Sequence, residues 1–320
     1  MLQRITCGLI CGALALSSTI GAAQTTGKTL RFVVGYPPGG SGDFVTRTVG
    51  EAIAAELGVT PLIDNRPGAA GNLATEVVVK SNDGATLLVA SNPYINKALY
   101  KKLNYDVEKD LIPITLLGNG PMIIAVNNQL PVRSIPELIA YAKKNPGKLN
   151  FASSGNGSTP HLGGILFNSV ADVDIVHIPF KGGAPAVQSI IAGDTQVIYG
   201  TSPVVLPQVR GGRVRALAIT TQKESAAIPG IMGMKEAGLA DYDISFSFGL
   251  YAPSTWSPTE VQKVFDAAVK VLKRPEMRDK LATQGMDPAP NSSPADFKAA
   301  NLREAPMWAK LISASGAKVD

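Results

Sequence analysis

Arg31-Phe-Val-Val-Gly-Tyr-Pro-Pro-Gly-Gly-Ser-Gly-Asp43 is the stretch on which the reading of this chain turns. An apolar β-run from Leu30 to Val34 breaks at Gly35 and turns through two prolines and two glycines. It enters a helical pattern at Asp43, where Val45, Val49, Ala52, Ile53 and Leu57 recur at helical spacing. A strand that feeds a Gly-rich turn into a helix start brings free backbone N–H groups and the positive end of a helix dipole together. Such a turn suits a small anion. The same residues also serve a tight βα turn whose Gly and Pro are there for geometry alone.

Outward from this turn, the alternation continues. Apolar β-runs occur at Thr29–Val34, Thr86–Ala90, Met122–Val126, Asn150–Ser153, Asp174–Ile178, Thr195–Tyr199, Val214–Thr220 and Ile244–Tyr251, mostly separated by helical patterns. Ser134-Ile-Pro-Glu137 and Ser257-Pro-Thr-Glu260 read as capping boxes, and the tail from Ser257 to Leu311 is helical in pattern. Alternation of this kind predicts an α/β fold of mainly parallel sheets flanked by helices, with ligand beyond the carboxyl ends of the strands. One sheet or two would fit the 320 residues. No repeat or low-complexity tether is present, so a second lobe would be joined by ordered crossing strands, best placed at Met122–Asn127 and Phe246–Pro253.

The first 23 residues read as a secretory signal peptide. Arg4 supplies charge, Leu9 to Leu16 is apolar but too short to span a bilayer, and Gly21-Ala22-Ala23 offers a cut after Ala23. Both cysteines, Cys7 and Cys11, fall inside it, and Ile10 stands where a lipidated cysteine would need a small neighbour. The mature chain is therefore expected to carry no disulfide, thiol nucleophile or thiolate metal site. Thirty Lys and Arg against 25 Asp and Glu give a net charge of +5, scattered and without aromatic interleaving, which does not suit nucleic acid.

Three more turns place hydroxyls, amides and backbone N–H groups at helix starts: Asp64–Asn72, Ser153–His161 and His177–Pro185. Groups of this kind hold a carboxylate by directional hydrogen bonds. Catalytic and cofactor motifs are not found: no G-x-G-x-x-G, no phosphate loop, no G-x-S-x-G elbow and no metal-spaced histidine pair. Lys181 is a candidate hinge or surface cation or, if buried, a Schiff-base lysine, and Asp43 a cap or a general base.

Taken in order, Val34–Asp43 with Arg47, Asn65–Gly71, Asp83–Leu88, Tyr105-Asp106 with Asp110–Ile114, Ser153–Ser158 with His161-Leu162, His177–Ala186, Arg215–Ala218 and Gly249–Pro253 make the chain recognisable. It resembles the Bug receptors, the extracytoplasmic solute-binding proteins of tripartite tricarboxylate transporters. The resemblance implies a two-lobed, type II-like periplasmic binding protein, each lobe a mainly parallel sheet flanked by helices, joined by two crossing strands. On that pattern residues 24–122 with 250–320 form one lobe and 123–249 the other. It implies a carboxylate held at the first βα turn by Tyr36, Pro37, Gly39, Gly40, Ser41 and Asp43, with Ser91 and Asn92 beside them. The second lobe would offer Ser153, Ser154, Gly155, Asn156, Ser158, His161, Lys181, Gly182 and Gly183. Gly35 departs from a usual proline, Asp64 from a usual glutamate, and Ser254-Thr-Trp-Ser-Pro258 from a usual Gly-Thr-Pro turn. Phe180 stands for a usual tyrosine, removing a hydroxyl beside the expected pocket.

The implied function is a monomeric periplasmic receptor that closes on a small carboxylate and delivers it to membrane permease subunits, with no cofactor, metal or nucleic acid. Two other readings remain at this point. One is a ligand-loaded module docking on a periplasmic sensor domain; the other is a secreted α/β enzyme using Asp43, His161 and Lys181.

Overall fold

In the computed structural model, residues 28–316 are described; the expected leader with both cysteines lies outside them. Nine strands are ordered β2-β1-β3-β9-β4-β7-β5-β6, with β8 also paired to β4. They are β1 Thr29–Val34, β2 Thr60–Asn65, β3 Thr86–Ala90, β4 Leu111–Asn127, β5 Asn150–Ser153, β6 Val176–Pro179, β7 Val197–Thr201, β8 Val214–Ile219 and β9 Ser245–Pro253. β2, β1 and β3 run parallel, as do β6, β5 and β7. Between these groups β4 and β9 add antiparallel pairs.

β4 is the link. From Leu111 to Pro121 it pairs with β9, and from Met122 onward it pairs with β7 and β8. Its second half is the run legible in the sequence. The first half is hidden by Pro113, Gly118, Gly120 and Pro121, and the ladder there shifts register twice. Asn291 fills one irregularity: its N–H donates to Thr115 Oγ1 (3.0 Å) and its side-chain oxygen accepts from the Leu116 N–H (2.9 Å).

The fold is the expected two-lobed α/β architecture, with local departures. β2 has no strand signal in the sequence, because it is a half-exposed edge strand containing Pro61. β6 and β7 start two residues late. Ile175 is tied to Asn168, and Thr195 to Ser189 by a 2.9 Å hydroxyl bond, so both belong to helix ends. Ser257 and Glu260 do form a reciprocal capping box, whereas Glu137 accepts from the Arg133 N–H in place of Ser134. The first helix begins at Ser41 and runs as Ser41–Val45, a wider π turn Thr46–Gly50, and Glu51–Leu57.

The tail is three helices, Pro258–Leu272, Pro275–Ala282 and Pro294–Ser315. Between the last two, Gly285, Pro288 and Pro290 interrupt the helix, and Asp287 bridges to Asn119 of β4. The first tail helix packs on Glu51–Leu57, with Lys270 and Arg274 both on Glu56. The last packs Phe297 on Tyr251 of β9, ring centroids 5.2 Å apart, and also touches the helix Thr159–Ala171. Phe297 is only 2% exposed. Phe297→Ala is therefore expected to lower stability by about 3–5 kcal/mol, read as a fall in the urea midpoint.

Candidate functional site

The turns at the carboxyl ends of β1, β2, β3, β5 and β6 converge on one cleft of about 540 Å³. Asp43 sets the shape of the first turn. Its carboxylate accepts from the Gly39 N–H (3.0 Å), Arg47 Nε (3.0 Å) and Asn65 Nδ2 (3.1 Å), and Asn65 also donates to the Tyr36 carbonyl (3.0 Å). Burial pulls the Asp43 pKa up, but these hydrogen bonds outweigh it and the net direction is down. Asp43 is thus a fixed carboxylate that orders the loop, and a general base it is not placed to be: it is 5% exposed with its oxygens engaged. The Tyr36 hydroxyl accepts from the Ser91 N–H (3.2 Å), which ties the β1 turn to the β3 turn.

The second lobe builds its loop around two histidines. Their rings stack with centroids 4.0 Å apart, and His177 stacks in turn on Phe151. His177 Nε2 lies 2.6 Å from Ser153 Oγ, which accepts from the Gly155 N–H (3.1 Å). His161 Nδ1 accepts from the Gly157 N–H (3.1 Å). Acceptance at Nδ1 requires an unprotonated ring nitrogen there. Burial pushes His161 down to about 4, and burial with the neighbouring ring pushes His177 down to about 3. The pair serves as a neutral scaffold for the Ser153–Ser158 loop. Among the described residues no group of metal-ligating side chains is assembled.

The two lobes touch. Ser41 Oγ is 2.6 Å from Thr201 Oγ1, and Ser91 Oγ is 3.5 Å from Thr159 Oγ1. Gly182 (φ +116°) faces Pro37 so closely that a Cβ would lie 2.5 Å from its Cγ; one at Gly157 would lie 2.3 Å from Leu99 Cδ2. Only glycine permits either approach.

Of the residues singled out from sequence, Tyr36, Pro37, Ser91, Asn92, Ser154, Gly155, Asn156, Ser158, Lys181 and Gly182 line this cleft. Gly40, Ser41 and Gly183 face a narrower recess of about 40 Å³ next to it, and Ser153 with Gly183 a pinched one of about 10 Å³. Gly39, Asp43 and His161 line none of these and support the loops from behind. The cleft also takes Pro67, Gly68, Ala70, Gly71 and Thr75 from the second turn, and Pro93, Ile95, Asn96 and Tyr100 from the segment after β3. The Gly-rich pattern of Asp64–Asn72 was the signal for the former. The latter come from short helices, Pro93–Ile95 and Asn96–Leu99, that carry no motif. Thr159, Pro179 and Phe180 complete the second wall. Lys181 is the one charged side chain among all the lining residues, and no acid is among them.

The profile described as "TctC: Tripartite tricarboxylate transporter family receptor" matches residues 45–316. The chain belongs to this receptor family. Its members are periplasmic solute-binding receptors, and the likeness to them runs the length of the chain. Protein BugT of Bordetella pertussis is 29% identical over 316 residues, covering 98% of this chain and 97% of its own. Among solved structures, R. palustris Rpa4515 with adipate is 29% identical with a TM-score of 0.86, covering 91% of this chain and 99% of that one. MatC (Rpa3494) from Rhodopseudomonas palustris with bound malate is 28% identical with a TM-score of 0.82, covering 89% and 99%. The tripartite tricarboxylate receptors are binding proteins rather than enzymes. No helix among the described residues is long and apolar enough to cross a membrane.

The buried histidines give this receptor a defined acid limb. A histidine kept neutral in the fold gains its proton on unfolding, so its contribution is complete above about pH 6.5 and is lost as pH falls toward the folded value. Stability is expected to fall below pH 6.5 by up to about 1.4 kcal/mol per pH unit for each histidine. His177→Gln, which keeps a partner for Ser153, should flatten that slope in urea titrations between pH 6.5 and 4.5, and an unchanged slope would refute the assignment.

Proposed function

We propose that this receptor captures a small carboxylate-bearing solute between its lobes and delivers it to the membrane subunits of a tripartite tricarboxylate-type permease. The observation that carries this is the charge of the cleft: one lysine, no acid, and hydroxyls and amides contributed from both sides. An anion entering it meets an uncompensated cation and directional donors. The adipate and malate held by two structural neighbours support the same ligand class. The lobes divide as residues 24–122 with 250–320 and 123–249, supported by the change of partner in β4 between Pro121 and Met122. Residues 1–23 direct export and are then removed, which leaves a mature chain that starts at Gln24.

Site residues follow from this division. Tyr36, Pro37, Ser91 and Asn92 act from one lobe, and Ser154, Gly155, Asn156, Ser158, Lys181 and Gly182 from the other. Ligand contacts made by both lobes at once favour the closed arrangement through differential affinity.

A thermal-shift screen of small carboxylates is expected to yield hits that stabilise by about 2.7 kcal/mol at a hundredfold excess over Kd. Amides or esters of those hits should stabilise less; equal stabilisation by acid and ester would rule out carboxylate recognition. A product detected by NMR after incubation would overturn the receptor reading. Gly182→Val should hold the lobes apart at Pro37 and weaken a hit at least tenfold by calorimetry while leaving the far-UV spectrum intact. Wild-type affinity in that variant would show that closure at this contact is not needed.

A further inference from the structure

We propose that Tyr100 sets the length of solute this receptor accepts: its ring bounds the cleft, and behind it lies a second cavity that a longer solute enters once the ring is removed. The proposal rests on the carboxylate receptor reading above and deepens it by naming the residue that selects among acids of that class.

Two cavities share this one side chain. The main cleft, about 540 Å³, is bordered on its first-lobe side by residues of the segment after β3, Tyr100 among them. A second cavity of about 270 Å³ is lined by Lys97, Lys101, Leu103, Tyr105, Asp106 and Val107, and again by Tyr100. Among the described residues Tyr100 alone borders both. Next to it the partition is made by Asn96 on the cleft side and Tyr105 on the far side. That pair is tied in place: the Asn96 side-chain amide donates to the Tyr105 hydroxyl (3.2 Å), which donates to Asn72 Oδ1 (2.7 Å).

Tyr100 is held differently. Its hydroxyl is buried without a hydrogen-bond partner, so the ring is placed by packing against the core and not by a polar tie. The backbone beneath it is fixed. The Tyr100 N–H donates to the Asn96 carbonyl (3.0 Å), and the preceding Leu99 is buried and fits closely on Gly157 of the second lobe. A packed side chain on a fixed backbone is a wall whose position depends on its own size. Such walls yield little to extra methylenes, so a solute that fills the cleft up to the ring cannot lengthen further. The cavity behind suits the far end of a longer acid. It is large enough to be wet, at 270 Å³ against about 10–15 Å³ for one water, and Lys97 and Lys101 line it with Asp106 as its one acid. Asp106 is itself paired with Lys109 (3.3 Å), while Lys97 is shared with Glu108 (2.6 Å). Removing the ring would thus join a carboxylate-binding cleft to a second, cationic space.

Calorimetry on the mature protein with the straight-chain dicarboxylates succinate, adipate, suberate and sebacate tests this. In the wild type, affinity is expected to pass through a maximum and fall for the longest acids. Tyr100→Ala should move that maximum to longer acids and raise the affinity for sebacate relative to adipate at least tenfold. Tyr100→Val opens the wall less and should shift the order the same way, which keeps the test available if the alanine variant unfolds. Tyr100→Phe retains the ring and should retain the wild-type order of lengths. An unchanged order in folded Tyr100→Ala and Tyr100→Val, or the same shift in Tyr100→Phe, overturns the proposal and leaves carboxylate recognition standing. Silence from the whole series in every protein overturns it as well. Carboxylate recognition then survives if the broader thermal-shift screen still gives hits, and falls too if that screen is silent.

Discussion

One strand, β4, runs through both lobes without a break, and the geometry of the cleft depends on it. Its 17 residues keep β9 as partner up to Pro121 and take β7 from Met122. Because the pairing on either side is continuous, the two parallel groups are held edge to edge with a fixed relation between their strand ends. The carboxyl ends of β1, β2 and β3 then face those of β5 and β6, where parallel sheets place their ligands. A flexible tether would bring the same loops together far less often, at the entropic cost of loop closure.

Within that frame the loops are held mostly by themselves. Asp43 gathers the Gly39 N–H, Arg47 and Asn65; Ser153, His177 and His161 gather the Gly155 and Gly157 N–H groups. Each polar cluster is at least partly buried, and a buried polar group left unpaired costs more than a paired one contributes. Internal satisfaction thus fixes loop shape but also removes donors from the solute. What remains available at the cleft includes Ser154, Asn156, Lys181 and Gly182 on one wall and Asn92 with the Tyr100 hydroxyl on the other. Recognition in this receptor is set as much by the donors its loops have engaged as by those they display.

Much of this was legible in the residues, and the gaps have physical causes. β1, β3 and β5 were readable to the residue, because each is buried and bounded by Gly or Ser turns. The first half of β4 was not, since its prolines, glycines and two register shifts erase period-two patterning. In the site, ten of the residues singled out reach the cleft because strand-end turns are visible as Gly, Ser and Asn clusters. Ile95, Asn96 and Tyr100 were invisible: they enter through short helices positioned by Tyr105 and by the packing of Leu99 on Gly157. His161 looked like a ligand group because it follows such a turn, yet its ring points into the stack with His177. Direction of a side chain, unlike its presence in a turn, is decided by tertiary packing.

The contacts between the lobes bear on how closure responds to solute. Ser41 with Thr201 and Ser91 with Thr159 are neutral hydroxyl pairs, each worth only about 0.5–1.5 kcal/mol net, and both partners can hydrogen-bond water when apart. Gly182 on Pro37 and Gly157 on Leu99 add close packing over a small area. Together these hold the lobes in contact without locking them. Shifting such an equilibrium fully requires a ligand that prefers one state by about 5.5 kcal/mol, more than the interlobe hydroxyl pairs can supply. The larger difference has to come from a solute that touches both walls of the cleft at once. Closure is thereby itself a test of the solute, because a molecule that touches one wall alone gains nothing when the lobes meet.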